Sequence, residues 1–313
     1  MNFGQKLAIH GVIFCCAAAL CQRAPDPLAD ARALVETGAF AKSEDFLRHY
    51  LGANPSSADA HFLLGYVFFH EQKPKESLAE FTSGAKYRHP NADELMTVAS
   101  DYVMLGDYVD ADKWFSAVTQ QRPNDANAWY LLGRTKYSES DFRQAIVCFE
   151  RALALRPRYV EAENNMGLSW RDLNEIDKAK TAFQDAIDWQ GDHPADPQPF
   201  LNLGTLLADA SDFKRSLPYL EKALALSPDN PRIHEELAHV YEATDNLPKA
   251  QSELEQAVAL APTASGLHFK LGRVYRREGS QDKAKREFDL CEKLNGTQSS
   301  VETPNPPSRS GPP

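Results

Sequence analysis

Residues 128–157 read AWYLLGRTKYSESDFRQAIVCFERALALRP. Trp129, Leu132 and Lys136 recur at the three- and four-residue steps of one helical face, with a small Gly133 beside them. Ser140 and Asp141 then break and cap the chain. A second helix follows, and its inward face is Phe142, Ala145, Phe149 and Ala152. Gly133, Ala145 and Ala152 are small because two helices joined by a short turn must cross closely there. Pro157 stops the second helix. The stretch is one helix–turn–helix unit.

That unit repeats. Gly133 and Gly167 are 34 residues apart, as are Pro123 and Pro157, and Ala111, Ala145 and Ala179 keep the interval with Phe115, Phe149 and Phe183. Laid out at this period, the chain contains units at 24–57, 58–91, 92–125, 126–159, 160–193, 197–230, 231–264 and 265–298. The register slips once, at Pro194, Ala195 and Asp196. Lys136 stands where Tyr102, Trp170, Tyr241 and Tyr275 stand in other units. The first, second and fifth units depart most, with Asp30-Ala31 for Leu-Gly, His89-Pro90 one residue late, and Gly191 for proline.

This pattern of W-x2-L-G-x2-Y, A-x3-F and a closing proline resembles the tetratricopeptide repeat family, over about 275 of the 313 residues. The resemblance implies an all-α, right-handed superhelical solenoid of about eight 34-residue units, with a concave surface lined by first helices. It also implies a protein or peptide partner rather than a substrate. The last unit ends the stack, because Lys285 and Glu292 stand where the sixth unit has Leu217 and Leu224. After Asn295 the Pro- and Ser-rich sequence predicts disorder, assigned to 299–313.

At the other end, Lys6 precedes an apolar run from Leu7 to Leu20 that is shorter than the roughly 20 residues of a membrane-spanning helix. With small residues at Ala17, Ala18 and Ala19, residues 1–21 read as a secretory signal peptide and predict a periplasmic or extracellular protein. Cys21 is a possible lipidation site, although Leu20 replaces the small residue that normally precedes such a cysteine. Cys148 and Cys291 fall on apolar helical faces and read as small core residues.

A net charge of −10 argues against a general nucleic-acid binder. No phosphate loop or nucleophile elbow is present, and the array leaves no room for a catalytic domain, so no enzyme activity, cofactor or metal is expected. His234 and His239 are five residues apart, which turns them about 140° from one another on a helix. His234, like His61 and His268, holds the fourth place of its unit and should pack against its own second helix.

The first-helix places that point into the expected concavity carry Phe62, Tyr66, Phe69 and His70, then Met96, Val103 and Met104, then Tyr130, Arg134 and Tyr137. Aromatic and methionine side chains suit gripping a partner, and Phe62, Tyr66, Phe69, Tyr130 and Tyr137 are expected to form one partly exposed patch. Asn164, Asn165 and Asn202 follow, suited to holding an extended peptide backbone, and then Arg232, Arg273, Arg276 and Arg277, suited to a carboxylate. The alternatives for the stripe are a carbohydrate or cell-envelope ligand, or packing of these side chains across a narrow groove between neighbouring repeats. The family's chaperone-tail clamp is not matched: beside Tyr130, Arg134, Gln198 and Asn202, only Asn165 fits.

Overall fold

The computed structural model describes residues 26–301, with side chains as far as 296. The signal-peptide reading of 1–21, the possible lipidation at Cys21 and the tail beyond 301 lie outside the described residues. Among the described residues the chain is all helix, in sixteen segments without a strand. It divides at His89/Pro90 into two compact bodies.

The first body holds two hairpins, α1 (Ala29–Glu36) with α2 (Phe40–Ala53), and α3 (Ala58–His70) with α4 (Pro74–Ala85). The second holds six. They are α5 (Ala92–Met104) with α6 (Tyr108–Gln121), α7 (Ala126–Ser138) with α8 (Phe142–Leu155), and α9 (Val160–Asp172) with α10 (Ile176–Asp188). Then come α11 (Gln198–Asp209) with α12 (Phe213–Leu226), α13 (Pro231–Ala243) with α14 (Leu247–Leu260), and α15 (Ser265–Arg277) with α16 (Gln281–Val301). The first helix thus begins at Ala29, and α16 continues through Val301, past the predicted stop after Asn295. Nothing between Gly296 and Val301 removes a backbone donor, and Pro304 is the first residue that would.

Each hairpin turns on a left-handed residue at the fifteenth place of its unit: Gly38, Gln72, Gly106, Ser140, Asn174, Ser211, Asp245 and Gly279. One place later, the side chains of Asp107, Asp141, Asp212 and Asn246 cap the next helix and accept from its first-turn amides. Ser140 and Asp141 therefore divide the labour, one turning the chain and the other capping α8.

Close packing of first on second helix explains the small residue at the eighth place. A Cβ on Gly133 would lie 2.6 Å from the Phe149 ring, and one on Gly167 would lie 2.6 Å from Phe183. Phe115, Phe149 and Phe183 are completely enclosed. Where serine replaces alanine on the second helix, its hydroxyl donates to the first helix, Ser43 to Ala31 O at 3.1 Å, Ser77 to Gly65 O at 2.8 Å and Ser216 to Gly204 O at 2.7 Å. These bonds account for part of the sequence departure of units one, two and six. Lys136, at its aromatic place, bridges to Asp112 of the preceding unit at 2.9 Å and to Glu139 at 3.3 Å.

The three-residue slip is wrapped by Gln190. Its side-chain carbonyl accepts from Ala195 N at 3.1 Å and Asp196 N at 2.8 Å, and its amide donates to Asp196 O at 3.2 Å. In the last unit Lys285 and Glu292 are exposed, while Leu217 and Leu224 pack into the core of the sixth and seventh.

Candidate functional site

The stripe read from the sequence divides between the two bodies, and its parts have different surroundings. In the first body Phe62 is only 3% exposed. The expectation that it is a groove side chain is overturned: unit two carries Gly84 where units four to seven have alanine, and the Phe62 ring fills the space that leaves. It stacks on Phe81 with ring centres 5.8 Å apart, and the Arg88 guanidinium lies over it at 4.5 Å. Tyr66 is 37% exposed. It meets His70 edge-on at 4.4 Å, and His70 also stacks on Phe40 of α2 at 4.9 Å and touches Phe69 at 5.2 Å. Burial pushes the His70 pKa down.

In the second body Met96 is half-buried against the core of units three and four, while Met104, at the end of α5, is 43% exposed. Tyr130 is half-buried, with its ring against Tyr159 at 5.0 Å and Phe149 at 6.1 Å and with exposed Arg134 over it at 5.8 Å. Its hydroxyl accepts from the Asn165 amide at 3.4 Å, and burial raises its pKa. Tyr137 donates to Asp172 Oδ2 at 2.5 Å, and burial, then this bond, pushes its pKa up to about 12. Arg171 pairs with Asp172 at 2.8 Å. Tyr130, Tyr137, Asn165 and Asp172 thus join the first helices of units four and five through polar contacts.

The asparagine ladder is corrected. Asn202 Nδ2 donates to Asn164 Oδ1 at 2.9 Å, and both side chains are buried between α9 and α11, so neither is open to a peptide backbone. Asn165 stays half-exposed and donates to Glu161 O at 2.7 Å. The arginine cluster is also corrected as an anion grip. Arg273 pairs with Glu242 at 2.6 Å, and Arg277 pairs with Glu242 at 3.1 Å and Asp245 at 2.9 Å. Burial works to raise the Glu242 pKa, but these two arginines hold it below its ordinary value. Arg276 instead lies over the Phe288 ring at 5.6 Å.

Between α11, α13 and α15 a cavity of about 370 Å³ is lined by Asp209, Glu235, Glu236, His239, Lys270 and Arg273, among others. Lys270 pairs with Glu235 and Arg273 with Glu242, which leaves Asp209 and Glu236 without a hydrogen bond or ion pair among the described residues. Burial raises the Glu236 pKa. In the last unit, Phe269 is 51% exposed and lines a second cavity of about 500 Å³ with Arg276, Phe288 and Cys291. Cys291 is therefore part of an open face. Cys148 is buried, and burial pushes its thiol up to about 11.

Phe269 was missed in the sequence although it occupies the same place in its unit as Tyr130 in the fourth. The surplus acids were missed because they become neighbours only when three first helices align. Among the described residues no group of three or more His, Cys, Asp or Glu side chains is placed to hold a metal ion, and no helix is long and apolar enough to cross a membrane.

Tetratricopeptide-repeat models match residues 28–93, 126–159 and 207–268, together just over half of the chain. A curated relative, the protein O-mannosyl-transferase TMTC1 of Homo sapiens, is 24% identical over 194 residues, which are 61% of this chain and 21% of that protein. The chain spans about a fifth of the length of the curated relatives it matches. A tetratricopeptide repeat protein from Parabacteroides merdae superposes with a TM-score of 0.64 at 17% identity, covering 79% of this chain and 96% of that one. The Cut9–Hcn1 hetero-tetramer of the APC/C gives 0.61 at 19% identity, covering 88% of this chain and 54% of that one. At these identities the likeness is one of fold.

Proposed function

The chain belongs to the tetratricopeptide-repeat family, and from that premise we propose that it is a non-catalytic, exported scaffold that holds a protein or peptide partner along its first-helix face. The observation that supports this most is the state of the side chains in units three to five. Met104 is largely open, whereas Tyr130 and Tyr137 are half-open and already fixed by Asn165 and Asp172. A side chain fixed in advance loses little freedom when a partner lands on it, and aromatic and methionine side chains concentrate binding energy. Farther along, the 370 Å³ cavity has its lysine and arginine in ion pairs and leaves Asp209 and Glu236 without one. An extended segment carrying apolar side chains and a lysine or arginine suits this face.

A scaffold role fits the titratable side chains, since the fourth-place histidines and two of the arginines in the last unit are engaged in holding helices together. Selection of a random peptide library on the full chain tests the reading. Replacing Met104, Tyr130 and Tyr137 together by Ala should weaken the selected peptides about 30-fold or more, equivalent to about 2 kcal/mol. Stability should fall less than after Phe149→Ala, a core truncation expected to cost about 3–5 kcal/mol. Unchanged capture would remove this face from the binding site, and preferential capture on a glycan array would point to a carbohydrate ligand.

Export rests on Lys6, the apolar run 7–20 and the alanines before Leu20. The exported protein should begin near Leu20 or Gln22 by intact-mass measurement. Exported material that retains Met1 through Cys21 would overturn export by cleavage.

A further inference from the structure

Four of the eight units place a ring N–H at the fourth position of the first helix, aimed at the carbonyl of the proline six residues earlier. Trp129 Nε1 donates to Pro123 O at 2.9 Å. His61, His234 and His268 place Nε2 on Pro55 O, Pro228 O and Pro262 O at 3.0, 2.9 and 3.0 Å. An indole has no second nitrogen, but an imidazole does. In all three histidines Nδ1 faces a carboxylate from the unit's own second helix, Glu80 Oε2 at 2.6 Å and Glu253 and Glu287 Oε2 at 2.7 Å.

Both partners of each ring are acceptors. With Nε2–H given to the carbonyl, the Nδ1–carboxylate contact closes only with a proton between the two atoms. Without it, a nitrogen lone pair would face a carboxylate at hydrogen-bond distance. In an unfolded chain at neutral pH the imidazole is mostly neutral and the carboxylate ionised, so neither carries that proton. We infer that the three trios are proton latches: in each, a proton shared between ring and carboxylate ties the start of the first helix to the incoming loop and to the second helix, and loss of that proton opens the latch.

Neighbouring charges leave these rings to their latches. Beside His61 the Tyr87 ring stacks on the imidazole at 6.4 Å, while on α2 Glu44 and Arg48 pair with each other at 2.7 Å near Lys73, at the other end of α3. On α3 itself, Asp59 is taken by Arg88. Around His234, Glu221 of α12 acts with Glu253 on Tyr241, and Lys270, Arg273 and Arg277 of α15 are bound by Glu235, Glu242 and Asp245. Asp209 of α11 lies in the cavity beyond. Near His268, Tyr275 donates to Glu255 of α14 at 2.7 Å, and Glu287 and Glu278 also act on that hydroxyl. Burial opposes charge on His268, yet the Glu287 bond and the Pro262 carbonyl raise its pKa above the ordinary value. A proton held more tightly in the folded state stabilises fully below the unfolded value, about 6.5, and that stabilisation is lost as pH rises through the folded value.

The test is denaturant unfolding of the full chain from pH 5.5 to 8.5, beside the triple variant Glu80→Gln, Glu253→Gln, Glu287→Gln. Glutamine accepts from or donates to Nδ1 and removes the need for the proton. Above pH 6.5 the wild-type unfolding constant should rise by up to about tenfold per pH unit as the His268 proton is lost. The triple variant should lose that part of the slope. Ring ¹⁵N shifts of the folded wild type give a reading independent of the variant's stability: His268 should keep both ring protons to a higher pH than it does in the unfolded chain. A His268 ring that loses its second proton at or below the unfolded value, or equal slopes in wild type and variant, would overturn the proposal.

Discussion

Gly133→Leu should unfold the fourth unit and fray its neighbours, costing about 4 kcal/mol or more. The Cβ alone would stand 2.6 Å from the Phe149 ring, and Phe149 is completely enclosed, so the ring has no free volume to retreat into. Overpacking of an ordinary core costs about 1–3 kcal/mol. Here the added branch meets an aromatic ring at the crossing of α7 and α8, so the two helices must separate. Repeat arrays are coupled to their nearest neighbours, so amides of α5 to α10 should lose hydrogen-exchange protection before those of α13 to α16. Gly266→Leu is the matched control. It lies in a helix of the same body, with nothing within 4 Å of its missing Cβ. That variant should leave the melt unchanged or raise it slightly, since leucine has the higher helix propensity. Equal effects of the two substitutions would show that the contact at Gly133 does not limit stability.

The contrast between these two glycines also explains how far the fold could be read from sequence. Gly133, Phe149 and their equivalents pack within one hairpin, over a separation of 16 residues, so the constraint recurs every 34 residues as a visible pattern. The groove is built between hairpins, where no single spacing applies. Phe62 shares its unit place with Tyr130, yet Gly84 below it opens a slot and the ring drops into the core. That glycine was legible, but its effect on Phe62 depends on how the two helices cross. Asn164 and Asn202 read as open ligands because each was placed on a face by itself. The three-residue slip between them changes the register, and the two amides meet and satisfy each other. Arg273 and Arg277 were read without Glu242, which lies one repeat earlier and binds both. Site residues were thus legible as to helix and face, while their partners depended on the stacking of neighbouring units.

Glu163→Gln should stabilise the second body at pH 8 by about 1–3 kcal/mol and by much less at pH 5. Glu163 stands at the fourth place of unit five, where His61, Trp129, His234 and His268 stand elsewhere with a ring N–H to donate. An ionised carboxylate has no proton to give, and the second-helix place that holds Glu80, Glu253 and Glu287 in the latched units is Ala182 here. The side chain is 5% exposed with no hydrogen bond to a donor among the described residues. Burial, then the charge of Asp185, pushes its pKa from the ordinary 4.5 up to about 7. Because the folded value is the higher one, protonated Glu163 contributes fully below about pH 4.5, and that contribution is lost as pH rises to about 7. One pKa unit corresponds to about 1.4 kcal/mol, and partial access of water keeps the effect below the full product. Glutamine is neutral throughout and keeps the shape, so it removes the loss on the alkaline side alone. Denaturant unfolding of both proteins at pH 5 and pH 8 reads the difference directly. A Gln variant that is no more stable at pH 8, or equally stabilised at both, would mean that Glu163 finds a donor in solution. The consequence reaches the groove, because α9 also carries Asn165 and Asp172, which fix Tyr130 and Tyr137. Loosening of α9 on ionisation of Glu163 would release the side chains that the proposed partner meets.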